Sequence, residues 1–159
     1  MAKKTKTNVM RVLEQKKIPY NVYEYDNSDN MIDGVTVAEM IGCDPNLVYK
    51  TLVSISKSKQ YYVFVLPVNK ELSLKKAAKS VGEKKIELIP VKQIEQVTGY
   101  IKGGCSPIGM KKAYKTTFDE SALTHKKIIF NAGKVGHQVE VNPHDITKVI
   151  RADFADICE

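Results

Sequence analysis

Residues 99–112 restrict the fold of this chain most, because four glycines, one proline and three lysines interrupt two regions of ordinary composition. Gly103 and Gly104 can adopt positive φ and allow another backbone or a ligand to come close. Pro107 fixes its own φ and pushes Ser106 toward an extended conformation. The segment therefore predicts a shaped loop whose amide N–H groups converge on an anion or a developing oxyanion. A tight connection between two strands with a solvated basic tail is the alternative.

Length and composition indicate one compact domain. The chain has 159 residues, 43% of them apolar, which suits a single core over residues 1–159. Its longest apolar run, at 61–68, is far shorter than the ~20 residues of a membrane-spanning helix. No apolar segment follows the lysines within residues 1–6. We therefore expect a cytoplasmic protein without a membrane partner.

Cysteine usage argues against a covalent or metal framework. The three cysteines are Cys43, Cys105 and Cys158, and no two of them form a C-x-x-C pair. The histidines lack the i, i+4 spacing that would place two metal ligands on one face of a helix. We expect reduced thiols, no metal and no cofactor. A nucleophile and base pair made from Cys105 and a histidine stays open as an alternative, although no sequence feature brings the two together.

The charge balance favours a polyanionic partner. The formal net charge is +7 and the pI is about 9.2. The cations occur in separated groups, so whether they share a surface depends on the fold, and each group could also be one solvated face. The groups lie at 3–6, 75–79, 84–85, 111–115 and 126–127.

Hydrophobic periodicity predicts helices and strands in irregular alternation. The clearest helix is 73–81, where apolar residues recur at i, i+3, i+4 and i+7, Ser73 is a candidate N-cap and Gly82 follows. The other predicted helices are 7–17, 36–41, 91–97 and 143–150, and the predicted strands are 21–25, 48–55, 61–66, 85–88, 116–118, 127–130 and 137–141. This order favours an α+β domain built on a mixed, curved sheet.

Lys50 stands out within the predicted strand 48–55. By strand alternation it shares a face with Val48 and Leu52, so its ammonium must reach water, a carboxylate or a ligand. A lysine that protects a sheet edge is the alternative. The polar segment 26–34 is a predicted loop that could border a binding site.

Two motif matches are discounted. Ser73 and Lys76 form an S-x-x-K pattern, but the chain lacks the S-D-N and K-T-G companions, and an N-cap explains the serine. Residues 104–111 approximate a phosphate-binding P-loop, but one residue is inserted before the lysine and no Ser or Thr follows it.

Short motifs that occur in order from about residue 7 to residue 157 together resemble the YbaK/EbsC family. The pairing of Lys50-Thr51 with a later G-x-x-x-P loop is the most specific of them. The motifs are Ile18-Pro19-Tyr20 with Tyr25, Val48-Tyr49-Lys50-Thr51-Leu52, Leu74-Lys75-Lys76-Ala77-Ala78-Lys79, Thr98-Gly99-Tyr100, Gly103-Gly104-Cys105-Ser106-Pro107-Ile108-Gly109 with Lys111-Lys112, and Phe154-Ala155-Asp156-Ile157.

The resemblance implies a free-standing trans-editing factor, similar to the insertion domain of bacterial prolyl-tRNA synthetase, with a barrel-like sheet flanked by helices. It implies removal of cysteine from mischarged Cys-tRNA(Pro) by attack of the substrate's own thiol, which releases a cyclic thiolactone. Such an enzyme is formally a lyase, whereas direct attack by water would make it an ester hydrolase. The implied partners are the acceptor end of aminoacyl-tRNA and, as a candidate, prolyl-tRNA synthetase.

The resemblance also implies the site residues. Lys50 would hold a phosphate or polarise the ester, while the loop amides would serve the oxyanion. The candidate catalytic residues are Lys50, Gly103, Gly104, Cys105 and Ser106. The candidate substrate-binding residues are Tyr25, Thr51, Pro107, Gly109 and Gln138.

This chain departs from the family pattern at two places. An aliphatic residue usually stands where Cys105 does, and a turn that is commonly Gly-Gly-Lys-Arg-Gly reads Ala-Gly-Lys-Val-Gly at 132–136. Some relatives also carry an acidic residue at the position of Gln138. Two other functions remain as alternatives: a non-catalytic RNA-binding or regulatory protein of the EbsC type, and hydrolytic editing of Ala-tRNA or Pro-tRNA.

Overall fold

The computed structural model describes residues 6–25 and 33–159. Within those ranges the chain forms five α-helices, two short 3₁₀ helices and eight strands. The helices are α1 (Asn8–Gln15), α2 (Gly34–Met40), α3 (Leu74–Ser80), α4 (Val91–Thr98) and α5 (Pro143–Ile146), with 3₁₀ turns at Pro45–Leu47 and Glu120–Thr124. The strands are β1 (Asn21–Glu24), β2 (Tyr49–Ser56), β3 (Tyr61–Pro67), β4 (Ile86–Leu88), β5 (Lys115–Asp119), β6 (Ile128–Asn131), β7 (His137–Val141) and β8 (Ala152–Ala155).

The described strands form two sheets. One has the order β4-β2-β3-β5-β8 and the other β1-β7-β6. The β2–β3 pair is an antiparallel hairpin, whereas β5 runs parallel to both β3 and β8, so the larger sheet is mixed. The two sheets meet where Val48 forms an isolated parallel bridge with Ile129. The α+β class is confirmed, with the strands divided between two sheets that join at β2 instead of closing into a barrel.

Side-chain caps begin most of the helices; Ser73 caps α3 as predicted, whereas α2 begins at Gly34, two residues before its predicted start. The Thr7 hydroxyl accepts a hydrogen bond from the Met10 amide at 3.3 Å, and the Asp33 carboxylate caps α2. Ser73 caps α3 by accepting from the Lys76 amide at 3.2 Å. Capping therefore accounts for Ser73.

Strand β3 is buried on both faces, which explains its continuous apolar sequence. Val63 and Val65 pack into a cluster with Leu13 of α1 and with aromatic side chains of β5 and β6. Phe64 and Leu66 pack on the opposite side, in a cluster with the alanines of α3. Because β2 is the antiparallel partner of β3, its side chains alternate between the same two faces.

The predicted helix at 143–150 is wrong in length. Asn142 caps α5, but the helix ends at Ile146 and the chain continues as a turn. The chain then enters β8, a strand that the sequence does not predict, because alanine and aspartate have low strand propensity. Pairing with β5 supplies the strand conformation instead. Most of the predicted loop at 26–34 lies outside the described residues.

None of the helices within residues 6–25 and 33–159 is long and apolar enough to span a membrane.

Gly109 holds the loop between α4 and β5 in a conformation that a larger residue would not allow. Its φ is +79°, and a Cβ added there would lie 2.6 Å from the Tyr100 hydroxyl oxygen and 3.0 Å from Nδ2 of Asn8. The Tyr100 hydroxyl donates to the carbonyl of Ile108 at 2.6 Å, so this side chain ties both ends of the loop together.

We expect Gly109→Ala to destabilise the protein by about 1–3 kcal/mol more than Gly82→Ala, since overpacking adds to the conformational strain. Gly82 is the matched control because its φ is +72° and an added Cβ would meet nothing within 4 Å. Urea unfolding of the two variants measures the difference. If Gly109→Ala and Gly82→Ala lowered the free energy of unfolding equally, the close packing of Gly109 against Tyr100 would contribute nothing to stability.

Candidate functional site

Lys50 lies near the start of β2, at the junction of the two sheets. It pairs with Leu66 of β3 on one side. On the other side, Val48 bridges Ile129 of β6 in parallel. Two residues further along each strand, the same alignment sets Lys50 beside Asn131, and β2 and β6 are in contact there.

The alignment continues across the smaller sheet. Asn131 is the register partner of Gln138, and Gln138 is the partner of Tyr23. The Gln138 side chain is 4% exposed and donates through Nε2 to Oδ1 of Asn131 at 2.8 Å. Because directly paired residues share a face, Asn131, Gln138 and Tyr23 form a row across the smaller sheet. Lys50 extends this row beyond the isolated bridge without a ladder pair of its own on that side.

Two polar groups in this row have no partner among the described residues. Oε1 of Gln138 is buried and accepts no hydrogen bond. The Lys50 ammonium makes no hydrogen bond or ion pair to any residue within the described ranges. A buried polar group without a partner costs about 1–3 kcal/mol, so the Gln138 oxygen suits a ligand that donates to it. The Lys50 ammonium is only half-buried and suits a ligand that carries an acceptor or a negative charge.

The glycine loop packs against the turn that joins β6 and β7. Gly103 has φ +89°, as its flexibility allows. A Cβ on Gly104 would lie 3.1 Å from the amide nitrogen of Val135, which confirms the predicted close approach to another backbone. The Tyr25 amide donates to the carbonyl of Gly136 at 2.9 Å. Tyr25 and the two loop glycines therefore meet at the turn that leads into β7, and Gln138 is the second residue of that strand.

The loop offers fewer free amides than the sequence suggests. The Gly104 N–H donates to the carbonyl of Ile101 at 3.1 Å, so it is already used within the turn. No described residue accepts from the N–H groups of Gly103, Cys105 or Ser106. These three amides are the remaining candidates for binding an oxyanion.

Cys105 points into the protein interior. Its side chain is 5% exposed and belongs to an apolar cluster with Val53, Ile89 and Val97. Burial raises the pKa of the Cys105 thiol to about 11. The thiol contacts the Thr98 hydroxyl, with Sγ 4.0 Å from Oγ1, and not the histidine that a nucleophile and base pair would require. A thiol in this state is a poor nucleophile because the thiolate is the reactive form.

The other candidate residues take up different positions. Thr51 lies on the face of β2 opposite Lys50, and its buried hydroxyl has no partner within the described ranges. Ser106 and Pro107 are buried, and the Ser106 hydroxyl accepts from the Ile108 amide at 3.3 Å. Gly109 is required for loop conformation, and nothing in the structure links it to a ligand.

An unpaired stretch of the β2 edge connects these groups. Strand β4 covers the edge from Ser54 to Ser56, and the Ile89 amide donates to the carbonyl of Val53. Strand β6 reaches the same edge at Val48. Between them no described strand pairs with residues 50–52 on this side, so the edge is open where Lys50 and Thr51 lie.

Asn131 is the residue that sequence reasoning missed. It directly follows the predicted strand 127–130 and precedes a glycine-containing turn, a place where asparagine is ordinary. Its significance comes from the alignment of β2, β6 and β7, which only the sheet topology reveals.

Comparison with known proteins places the chain in a family. Residues 32–149 match the model of the aminoacyl-tRNA editing domain. The chain is 45% identical over 160 residues to an Enterococcus faecalis protein named "Putative Cys-tRNA(Pro)/Cys-tRNA(Cys) deacylase EbsC", covering 99% of this chain and 98% of that protein. This protein therefore belongs to the aminoacyl-tRNA editing domain family.

Solved structures share the fold. The crystal structure titled as a "putative trans-editing enzyme for prolyl tRNA synthetase" superposes with a TM-score of 0.82 at 21% identity, covering 98% of this chain and 99% of the other. The hypothetical protein APE2540 gives a TM-score of 0.85 at 20% identity, over 95% and 99% of the two chains. The fold described above is thus shared by both solved structures.

We expect the Cys105 thiol to be alkylated by iodoacetamide at pH 8 about 100-fold more slowly in the folded protein than in urea. The reason is the pKa of about 11, raised by burial from 9.0, which lowers the thiolate fraction by that factor. Peptide mass spectrometry of samples quenched over time measures the rate for this cysteine separately. Equal rates in the folded and unfolded protein would mean that the thiol is exposed and available for chemistry.

Proposed function

We propose that this protein is a trans-editing aminoacyl-tRNA deacylase that removes cysteine from mischarged Cys-tRNA(Pro). The observation that carries the proposal is that the Lys50 ammonium and the buried Oε1 of Gln138 both lack a partner among the described residues, on sheets that the bridge between Val48 and Ile129 joins. Membership of the editing-domain family and the name of the 45% identical relative support the same substrate.

The groups of an aminoacyl ester complement this site. The α-ammonium of the amino acid is a donor for Oε1 of Gln138, which has no other partner among the described residues. The ester carbonyl or the adjoining phosphate is an acceptor for the Lys50 ammonium. The 3′-terminal adenosine then lies between the β2 edge and the loop at Gly103, close to Tyr25.

The reaction needs little from the protein beyond position and charge, because an aminoacyl ester is already activated. The substrate thiolate attacks its own carbonyl carbon, forming a C–S bond, and the C–O bond to the ribose breaks. The ribose oxygen takes up a proton, so the products are free tRNA and a cyclic thiolactone. Lys50 and the amides of Cys105 and Ser106 stabilise the negative charge that develops on the carbonyl oxygen.

The burial of Cys105 favours this route over a covalent protein intermediate. Its thiol lies among apolar side chains and has a pKa of about 11, so it behaves as a small core residue. The substrate therefore supplies the only thiol that this mechanism requires.

The proposal includes the cellular setting. The partner is the acceptor end of aminoacyl-tRNA, the reaction takes place in the cytoplasm, and prolyl-tRNA synthetase is the synthetase whose errors it corrects. No cofactor takes part. Protein that binds Cys-tRNA(Pro) without releasing cysteine would instead be an RNA-binding regulator.

We expect Lys50→Ala to lower the deacylation rate of Cys-tRNA(Pro) at least 100-fold, which is about the effect of removing one oxyanion donor. The matched variant is Cys105→Ala, which should keep most of the activity because it changes only packing. Single-turnover deacylation measures both rates, with circular dichroism to verify folding.

Two results would contradict these roles. A Lys50→Ala protein with the unmodified rate would remove the ammonium from the mechanism. A folded but inactive Cys105→Ala protein, together with a cysteinyl adduct trapped on the unmodified enzyme, would make the protein thiol the nucleophile.

A further inference from the structure

A basic groove is lined in part by the second half of the glycine loop. It has a volume of about 760 Å³ and is formed by residues 107 and 109–116 together with 147–153. Its lining holds one carboxylate, that of Asp153, and five cations: Lys111, Lys112, Lys115, Lys148 and Arg151. One cation group of the sequence, at 111–115, therefore lies in the same groove as Lys148 and Arg151.

Several of these charges are available to a ligand. The side chains of Lys112 and Arg151 are exposed and make no hydrogen bond or ion pair to the residues that the structure describes. Lys148 pairs with Asp145 at 2.9 Å, and the Lys111 ammonium donates to the carbonyl of Gln96 at 3.2 Å. Both of these partners lie outside the groove lining, so the groove itself stays strongly positive.

The groove is continuous with the candidate site along the chain. Pro107 lines the groove and follows Ser106, whose amide is a candidate oxyanion donor. Pro107 lies four residues after Gly103 in the sequence, so the two are at most ~14 Å apart. A second groove of about 370 Å³ adjoins the first and shares Lys111, Lys112 and Tyr114 with it.

We propose that the basic groove holds the phosphodiester backbone of the tRNA acceptor stem while the 3′ end occupies the site at Lys50. This inference rests on the proposed function and names the surface through which the substrate is held. Lysine and arginine side chains in a row along a groove bind successive phosphates without reading base sequence. Their predominance over the one carboxylate in the lining fits a polyanion.

A matched control is available at the opposite edge of the larger sheet. The groove contacts β5 and β8, whereas Lys84 and Lys85 are exposed and precede β4 at the other end of the strand order. Four strand spacings separate β4 from β8, or roughly 19 Å. The double variants Lys112→Glu/Arg151→Glu and Lys84→Glu/Lys85→Glu change the net charge equally.

The test measures binding and activity separately. Fluorescence anisotropy gives the Kd for an acceptor-stem RNA hairpin that ends in CCA and carries no amino acid, over a series of salt concentrations. Deacylation is measured on Cys-tRNA(Pro) and on a 3′-cysteinyl CCA trinucleotide, which has no stem. We expect the groove variant to weaken hairpin binding and raise KM for Cys-tRNA(Pro) at least tenfold, with an unchanged rate on the trinucleotide. The control variant should change each value less than threefold.

The salt dependence supplies a further check. Loss of two phosphate contacts should reduce the slope of log Kd against log salt by about 1.5–2 in the groove variant alone. The variant Lys112→Gln/Arg151→Gln should show the same pattern with a smaller effect, which guards against misfolding caused by charge reversal.

Equal weakening by the groove and control variants would overturn the inference, as would unchanged hairpin binding by the groove variant or no measurable binding by the unmodified protein. A groove variant that loses equal activity on the trinucleotide would also overturn it, since the defect would then lie in the site. If the unmodified protein binds the hairpin through the groove but deacylates nothing, the proposed function fails and the groove assignment stands.

Discussion

The bridge between Val48 and Ile129 is the contact on which the site depends, because it joins the smaller sheet to the residue that precedes β2 of the larger one. Strand β6 covers one end of the β2 edge and β4 covers the other, so the residues between them remain open. The bridge also fixes the alignment that sets Lys50 beside Asn131 and, through it, Gln138. A shift of one residue would turn Lys50 to the opposite face, among the apolar side chains that pack around Tyr49.

The site retains polar groups that a purely structural protein would satisfy. The side-chain amide nitrogen of Gln138 donates a hydrogen bond to Asn131, yet its amide oxygen accepts none from the described residues. In contrast, Cys105 contributes to stability by burial in an apolar cluster and keeps its proton. The loop therefore combines two functions: its side chains anchor it to the core, while its backbone amides remain available beside the open edge.

Much of the architecture follows from local sequence, because caps, turns and apolar periodicity act over a few residues. Ser73 and Gly82 bound α3 as predicted, and the hairpin of β2 and β3 follows from two apolar strands around a polar turn. The failures involve long-range pairing: β8 exists because β5 supplies its partner, and Asn131 gains its neighbours only from the sheet. The inward direction of Cys105 likewise depends on Val53 and Ile89, which lie far away in the sequence.

In the proposed mechanism the protein supplies position and charge while the substrate supplies the nucleophile. This division of roles is tested by comparing deacylation of Cys-tRNA(Pro) with that of tRNA(Pro) carrying S-methylcysteine, because the methyl group removes the thiol and keeps the ester. We expect rapid release of tRNA from the cysteinyl substrate and release at the no-protein rate from the methylated one. Equal enzyme-dependent release from both would show that water or a protein group attacks the ester, so the substrate thiol would not be the nucleophile.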